Sequence, residues 1–158
     1  MRIGIGYDVH AFAEGRPLVM GGVPIQHSKG LVGHSDADVL IHAVMDALLG
    51  AAGLGDIGRH FPDTDERYCG ADSVELLKQV DGKLQSAGYR TGNIDAVVIA
   101  QSPRLASYLP QMEARIAQAL DIPVSAVNVK ATTTEHLGFE GREEGIAAQA
   151  VCTINPLS

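Results

Sequence analysis

The chain opens on a strict alternation. Ile3, Ile5, Tyr7, Val9 and Ala11 fall on one side and Arg2, Gly4, Gly6, Asp8 and His10 on the other, which predicts a half-buried strand over residues 2–12. Leu18-Val19-Met20, Gly21-Gly22 and Val23-Pro24-Ile25 predict a hairpin with a two-residue turn, and Pro24 suggests an edge position. An apolar run from Val39 to Leu54 follows Ser35, Asp36 and Asp38 and predicts a helix over 36–52, with Ser35 as its N-cap and acidic residues in its first turn. On that helix Val39, Ala43, Ala47 and Gly50 form a row of small side chains suited to packing on a sheet. Asp38, His42 and Asp46 form a second, polar row at a spacing of four.

Residues 55–72 are dense in Gly, Pro and Asp and read as a loop. A helix over about 73–87 stops at Gly88, and a strand covers 94–101. Pro110 opens a helix to about Asp121, and Val127–Thr132 and Gly145–Ile154 are the last two strands. This mixed order predicts an α+β fold: a two-layer sandwich of a mixed, mostly antiparallel sheet with helices on one face, in a single domain spanning residues 1–158.

Composition excludes several classes. At 46% hydrophobic and 20% charged residues the 158-residue chain is neither disordered nor a coiled coil. Twelve basic residues against nineteen acidic give a net charge of −7 with no Lys/Arg run, which excludes nucleic acid and anionic membranes as partners but leaves room for a local phosphate pocket. Cys69 and Cys152 have no CxxC spacing and read as reduced thiols, so a cytoplasmic location is expected. Asp8 and His10 interrupt any signal-peptide core, and His42 and Asp46 break the longest apolar run as a membrane span.

Asp8 and His10 leave the same face of the first strand, and His42 lies on the polar row of the next helix. One carboxylate and two imidazoles match a three-ligand zinc site with an open position; Asp38 or Asp46 would hold the other ring nitrogen of His42. The alternative is a strand-end Asp and His that only bond nearby loops. His34-Ser35-Asp36 precedes the helix, where free N–H groups form an anion site or a plain cap. The acidic segments Asp56-Ile57-Gly58 and Phe61-Pro62-Asp63-Thr64-Asp65 suit polyol hydroxyls or a hydrated cation, or merely solubility. Lys130-Ala131-Thr132-Thr133-Thr134-Glu135 offers hydroxyl donors, a positive charge and a hard-cation ligand. Alternatively it is a β-branched strand end with solvated hydroxyls. Gly138-Phe139-Glu140-Gly141-Arg142 permits a tight loop with an arginine able to grip a diphosphate. Gly4-x-Gly6 sits inside a strand and is no dinucleotide fingerprint, and His27, His60 and His136 read as surface residues.

As an ordered set these motifs resemble the 2-C-methyl-D-erythritol 2,4-cyclodiphosphate synthase family of non-mevalonate isoprenoid biosynthesis. The match runs from Asp8-Val9-His10 through His34-Ser35-Asp36, His42, Asp56-Ile57-Gly58, Phe61 to Asp65, Gly70-Ala71-Asp72-Ser73, Ala100-Gln101-x-Pro103 and Lys130 to Glu135, to Gly138-Phe139 with Gly141-Arg142. The resemblance implies a lyase that converts 4-diphosphocytidyl-2-C-methyl-D-erythritol 2-phosphate to the 2,4-cyclodiphosphate and CMP, acting as a homotrimer with active sites at subunit interfaces. It implies zinc on Asp8, His10 and His42, one ion per subunit, and magnesium or manganese bridging the substrate diphosphate with Glu135. It makes His34 and Thr133 the catalytic groups that stabilise the transition state. Ser35, Asp56, Ile57, Gly58, Phe61, Asp63 and Asp65 would hold the methylerythritol side of the substrate. Ala100, Pro103, Arg104, Leu105, Ala106, Ala131 and Thr132 would hold cytidine and its phosphates, with Thr134, Phe139 and Arg142 as further substrate contacts.

Four positions depart from the family. Arg104 and Leu105 stand where Lys and Met are common, and His136 stands where Lys or Arg is frequent. Gln149 replaces the Glu that many members place in the central channel of the trimer, so the resemblance does not carry an isoprenoid diphosphate ligand for that channel. A metal-dependent phosphohydrolase and a non-catalytic nucleotide-binding trimer are the rival readings. The first would need an activated water, and no spare base stands beside the expected metal group. The second would not need both that group and Glu135.

Overall fold

In a computed structural model, which describes residues 1–158, the long first strand β1 (Arg2–Ala13) is followed by the hairpin β2 (Leu18–Met20) and β3 (Val23–Ile25). A short β4 (Gly30–Leu31) then leads into helix α1 (Val39–Ala51). The hairpin turn is as the sequence predicts: Gly21 and Gly22 both take left-handed backbone, with φ of 60° and 73°, which a two-residue turn of matching twist requires. The segment read as loop contains a short helix α2 (Ile57–His60) and a single 3₁₀ turn (Glu66–Tyr68). After it come α3 (Ser73–Ser86), β5 (Tyr89–Ile99), α4 (Leu109–Ala119), β6 (Val127–Thr132), α5 (Gly138–Gly141) and β7 (Gly145–Pro156).

The main sheet runs β4-β1-β7-β5-β6. All its pairs are antiparallel except β5 with β6, so the fold is the expected α+β arrangement with a mostly antiparallel sheet. Helices α1, α3 and α4 cover one face. Leu40, Met45, Leu48, Leu77, Leu84, Met112 and Ile116 are fully buried there against Ile94, Val98, Ile146 and Ile154 of the strands.

Two expectations change. Helix α1 starts at Val39 rather than at 36, and its N-cap is Asp38, not Ser35; the Asp38 carboxylate accepts from the Ile41 N–H at 3.0 Å. The same carboxylate accepts from Gly21 N (2.9 Å) and Gly22 N (2.7 Å), so the hairpin turn is bolted onto the start of α1. The second change concerns β1. A period of two ordinarily turns the apolar side inward, but here the glycine side packs on α1 and the apolar side is open: Ile3 is 70% exposed, Ile5 63% and Tyr7 54%. The reason is close approach. A Cβ at Gly4 would lie 1.9 Å from the Ala47 carbonyl oxygen and one at Gly6 1.9 Å from that of Ala43. Ala43, Ala47 and Ala51 form the contact row, and Gly50 is exposed rather than part of it.

Candidate metal centre and nucleotide cleft

Because β1 turns its glycine side to α1, Asp8 and His10 on that side meet His42, which projects from the first half of the helix. One ligand atom from each of the three lies within 4.8 Å of the others. Asp8 Oδ2 is 2.7 Å from His10 Nε2 and 3.1 Å from His42 Nδ1, and those two nitrogens are 3.1 Å apart.

The other side of each ring fixes its orientation. His10 Nδ1 lies 2.8 Å from the Val32 carbonyl oxygen, which can only accept, so that nitrogen carries a hydrogen and Nε2 faces Asp8. His42 Nε2 lies 3.1 Å from Ser35 Oγ and 3.0 Å from Ser73 Oγ. Asp38 and Asp46, expected as partners of His42, do not reach it. Asp38 is the helix cap, and Asp46 accepts from the Ile57 N–H at 2.8 Å, tying α2 to α1. The donor set of two imidazole nitrogens and one carboxylate oxygen, converging at the mouth of a cavity, fits a divalent metal with an open position.

Electrostatics point the same way. Burial by itself would raise the Asp8 carboxyl, but hydrogen bonding and attraction to His10 and His42 win and hold it at about 2. Burial works to lower the His10 imidazole, and the contact with Asp8 overcomes it, leaving the ring more basic than usual. Asp38 moves the other way: fully enclosed, its carboxyl is pushed up to about 6 by burial, against the pull of its N–H donors.

The cavity beside this group has a volume of about 540 Å³ and is lined by His34, Ser35, Ile57, Gly58, Phe61 and Asp63 together with Asp8, His10 and His42. His34 donates from Nε2 to the Asp65 carbonyl at 3.0 Å, and Ser35 Oγ accepts from Ala37 N. Asp56 and Asp65, expected in this pocket, do not line it. Their carboxylates cap α2 and the 3₁₀ turn, accepting from Arg59 N and Arg67 N at 3.0 Å each. The expected anion site at the start of α1 is likewise filled, by Asp38.

A second cleft of about 400 Å³ opens at the ends of β5 and β6. Ala100, Gln101, Pro103, Arg104, Leu105, Ala106, Ala131, Thr132 and Thr133 line it. The Gln101 amide oxygen accepts from His136 N at 3.0 Å and pins the loop after β6 to the loop after β5. Thr133 Oγ1 accepts from the Glu135 N–H at 3.2 Å. Thr134, Glu135, Phe139 and Arg142 stand outside both clefts: the Thr134 hydroxyl bonds the Leu137 carbonyl and Arg142 pairs with Glu144. Lys130 turns away to Asp95, at 2.6 Å. His60, read as a surface residue, bonds the Leu54 carbonyl at 2.7 Å.

Sequence reasoning left two residues of the metal centre without a role, Ser73 and Asp36. Both sit in motifs the resemblance quoted, yet Ser73 touches a residue 31 positions away, which no local pattern signals.

The model of the YgbB family matches residues 1–155. A 2-C-methyl-D-erythritol 2,4-cyclodiphosphate synthase from Syntrophobacter fumaroxidans is 64% identical over 151 residues, which is 96% of this chain and 95% of the relative. One from Desulfitobacterium hafniense is 62% identical over 96% of each chain. Among solved structures, the bifunctional IspDF of Campylobacter jejuni superposes with a TM-score of 0.96 at 49% identity, over 99% of this chain and 42% of that one. A Plasmodium falciparum IspF described as a CDP complex gives 0.86 at 33% identity, over 99% and 97%.

Proposed function

Since the chain belongs to the YgbB family and its relatives are named 2-C-methyl-D-erythritol 2,4-cyclodiphosphate synthases, we propose that it carries out the reaction the motif resemblance implies, converting 4-diphosphocytidyl-2-C-methyl-D-erythritol 2-phosphate to 2-C-methyl-D-erythritol 2,4-cyclodiphosphate and CMP. The carrying observation is the convergence of Asp8, His10 and His42 at the mouth of a cavity whose walls include His34, Ser35 and Asp63.

The bond changes are those of an internal displacement. An oxygen of the 2-phosphate attacks the β-phosphorus, a P–O–P link forms, and the bond from β-phosphorus to the bridging oxygen breaks as CMP leaves with that oxygen. The attacking oxygen is already anionic, so no general base is required; the protein's task is to align the groups and stabilise charge. Zinc held by Asp8, His10 and His42, with magnesium or manganese near Glu135, would supply Lewis-acid polarisation of the diphosphate. His34 and the cavity wall of Ile57, Gly58, Phe61 and Asp63 hold the methylerythritol portion, and Ser35 supports both that wall and His42. The second cleft takes the cytidine, a reading supported by the CDP described for the P. falciparum relative. Thr133 donates from its hydroxyl to the transferring phosphoryl group, since within the chain that hydroxyl only accepts.

The two clefts share no lining residue. Asp8 pairs with Ala148, Ala148 with Val98 and Val98 with Ala131, three strand spacings in all, so the halves stand about 14 Å apart in one chain. A homotrimer would bring the metal half of one protomer against the nucleotide half of the next. It would also cover the bare apolar side of β1, where Ile3, Ile5, Tyr7 and Val9 lie open beside Val151. Gln149 lies on the same side, paired with Tyr7 and Val97, and is neutral. No helix is long and apolar enough to cross a membrane.

Incubation with the diphosphocytidyl substrate followed by phosphorus NMR tests the proposal. A cyclic diphosphate plus CMP is expected. Linear hydrolysis products would instead make the protein a phosphohydrolase, and unchanged substrate a binding protein.

A further inference from the structure

Behind the metal group lies a chain of hydrogen bonds whose direction is fixed by chemistry. The Asp36 carboxylate accepts from the Ser73 N–H at 3.0 Å and from the Ser73 hydroxyl at 2.5 Å, and also from Asp38 N at 3.2 Å. A carboxylate has no proton to give, and a serine hydroxyl has one. Having donated it to Asp36, Ser73 Oγ has only lone pairs left for His42 Nε2, 3.0 Å away. Ser73 is fully buried, so no water competes for that contact. His42 Nε2 therefore carries a hydrogen, and Nδ1 is the nitrogen turned toward Asp8 and His10.

We propose that Asp36 and Ser73 form a positioning relay that sets the tautomer and ring orientation of His42, and so tunes metal affinity without touching metal or substrate. The proposal rests on reading Asp8, His10 and His42 as metal ligands. The relay crosses the fold: Asp36 lies in the loop before α1, and Ser73 is the first residue of α3. It gives the Gly70-Ala71-Asp72-Ser73 segment two tasks. Asp72 caps α3 by accepting from Val74 N at 2.9 Å, and Ser73, one residue on, orients a ligand on the neighbouring helix. Ser35 Oγ, 3.1 Å from the same nitrogen, shares the hydrogen but is itself engaged with Ala37 N, and it has no carboxylate behind it to fix which way it points. That is why the Asp36–Ser73 branch decides the polarity.

Two measurements test it on the 158-residue chain. In the metal-free wild type, nitrogen NMR of the His42 ring should show Nε2 carrying a hydrogen. Competition for zinc against a chromophoric chelator should give a dissociation constant about 10–100-fold weaker in Ser73→Ala and in Asp36→Asn, the usual effect of losing such a support. The double variant should be no weaker than the weaker single one, because both lesions cut one relay. Asp36→Asn keeps size and carries the test if Ser73→Ala does not fold. Its amide can donate to Ser73 and reverse the chain, so the His42 ring should also show a changed tautomer population, which a purely structural role for Asp36 would not produce. An Nε2 without hydrogen in the wild type, or zinc affinities within about two-fold of wild type in both variants, overturns the relay. A wild type that binds no zinc overturns the metal reading instead, and the tautomer spectrum still decides the relay.

Discussion

A proton and a divalent cation would compete for the same point between Asp8, His10 and His42. Without metal, the raised basicity of His10 lets an imidazolium sit against the Asp8 carboxylate, and that pair stabilises the fold within a defined pH window. The Asp8 share is complete above the ordinary carboxyl value of 3.8 and is lost as pH falls through about 2. The His10 share is complete below the ordinary imidazole value of 6.5 and is lost as pH rises through its raised value. Metal reverses the second trend, because binding needs both rings unprotonated. We therefore expect the melting temperature of EDTA-treated protein to fall as pH rises from 6.5 through the raised value of His10, and to fall less in His10→Gln, while zinc affinity rises over the same range with release of a proton. Thermal melts and zinc titrations in two buffers of different ionisation heat check both. Thr133 poses a simpler question. If its hydroxyl donates to charge that develops during transfer, Thr133→Ala should slow turnover about 10²–10³-fold while CMP affinity changes far less. Steady-state kinetics beside calorimetric CMP binding separate the two; equal losses would make Thr133 a plain binding contact.

Among the elements, the β1–α1 contact sets the geometry of the metal group. Gly4 and Gly6 let the strand approach the helix backbone itself, and the same approach sets how far Asp8 and His10 stand from His42. A methyl group at Gly6 would sit 1.9 Å from the Ala43 carbonyl oxygen and 2.8 Å from the Ala47 nitrogen, and neither is a side chain that can swing aside. Gly6→Ala should therefore cost about 3 kcal/mol in urea unfolding and weaken zinc binding as well, because separating strand from helix also separates the ligands. A substitution at exposed Gly50, with nothing within 4 Å, is the matched control. The helix is held from its other end too: Asp38 ties its start to the Gly21-Gly22 turn and Asp46 ties its second half to α2, so the cavity wall at Ile57 moves with the helix that carries His42.

For the whole molecule, the proposed homotrimer would both cover the open apolar side of β1 and join the two separated half-sites. In such a ring each site takes Asp8, His10 and His42 from one protomer and Thr132, Thr133 and Glu135 from the next. His42→Ala and Glu135→Ala should each be nearly inactive as pure trimers. Refolded together in equal amounts, they should form mixed rings in which one interface of the three carries both intact halves. Random assembly then restores about one quarter of wild-type activity. Activity assays before and after subunit exchange, with mass spectrometry to confirm mixing, check this. A mixture as inactive as its parents despite proven exchange would place both halves of the site in a single protomer.

The sequence by itself determined what depends on neighbours along the chain. Gly21-Gly22 between two short apolar runs specifies its turn, Gly88 ends α3 with a φ of 89°, Pro110 marks the first turn of α4, and Val127–Thr132 forms as one strand. The spacing of Asp8 and His10 also put both on one strand face, and the four-residue row put His42 on the polar side of its helix. Tertiary structure decided which face meets what. A period of two states that β1 has two faces but not which one is covered, and backbone contact at two glycines chose the less apolar one. The cap of α1 went to Asp38 rather than Ser35 because only Asp38 also satisfies two N–H groups of a hairpin many residues earlier. Ser35 and Ser73 became the partners of His42 through the packing of α3 on α1, and Asp56 and Asp65 left the cavity to cap their own short turns. Local hydrogen bonds and turn preferences act over a few residues and so are written in order along the chain. Burial and the pairing of polar groups depend on which distant segments arrive, and that is fixed only when the sheet and its helices close on one another.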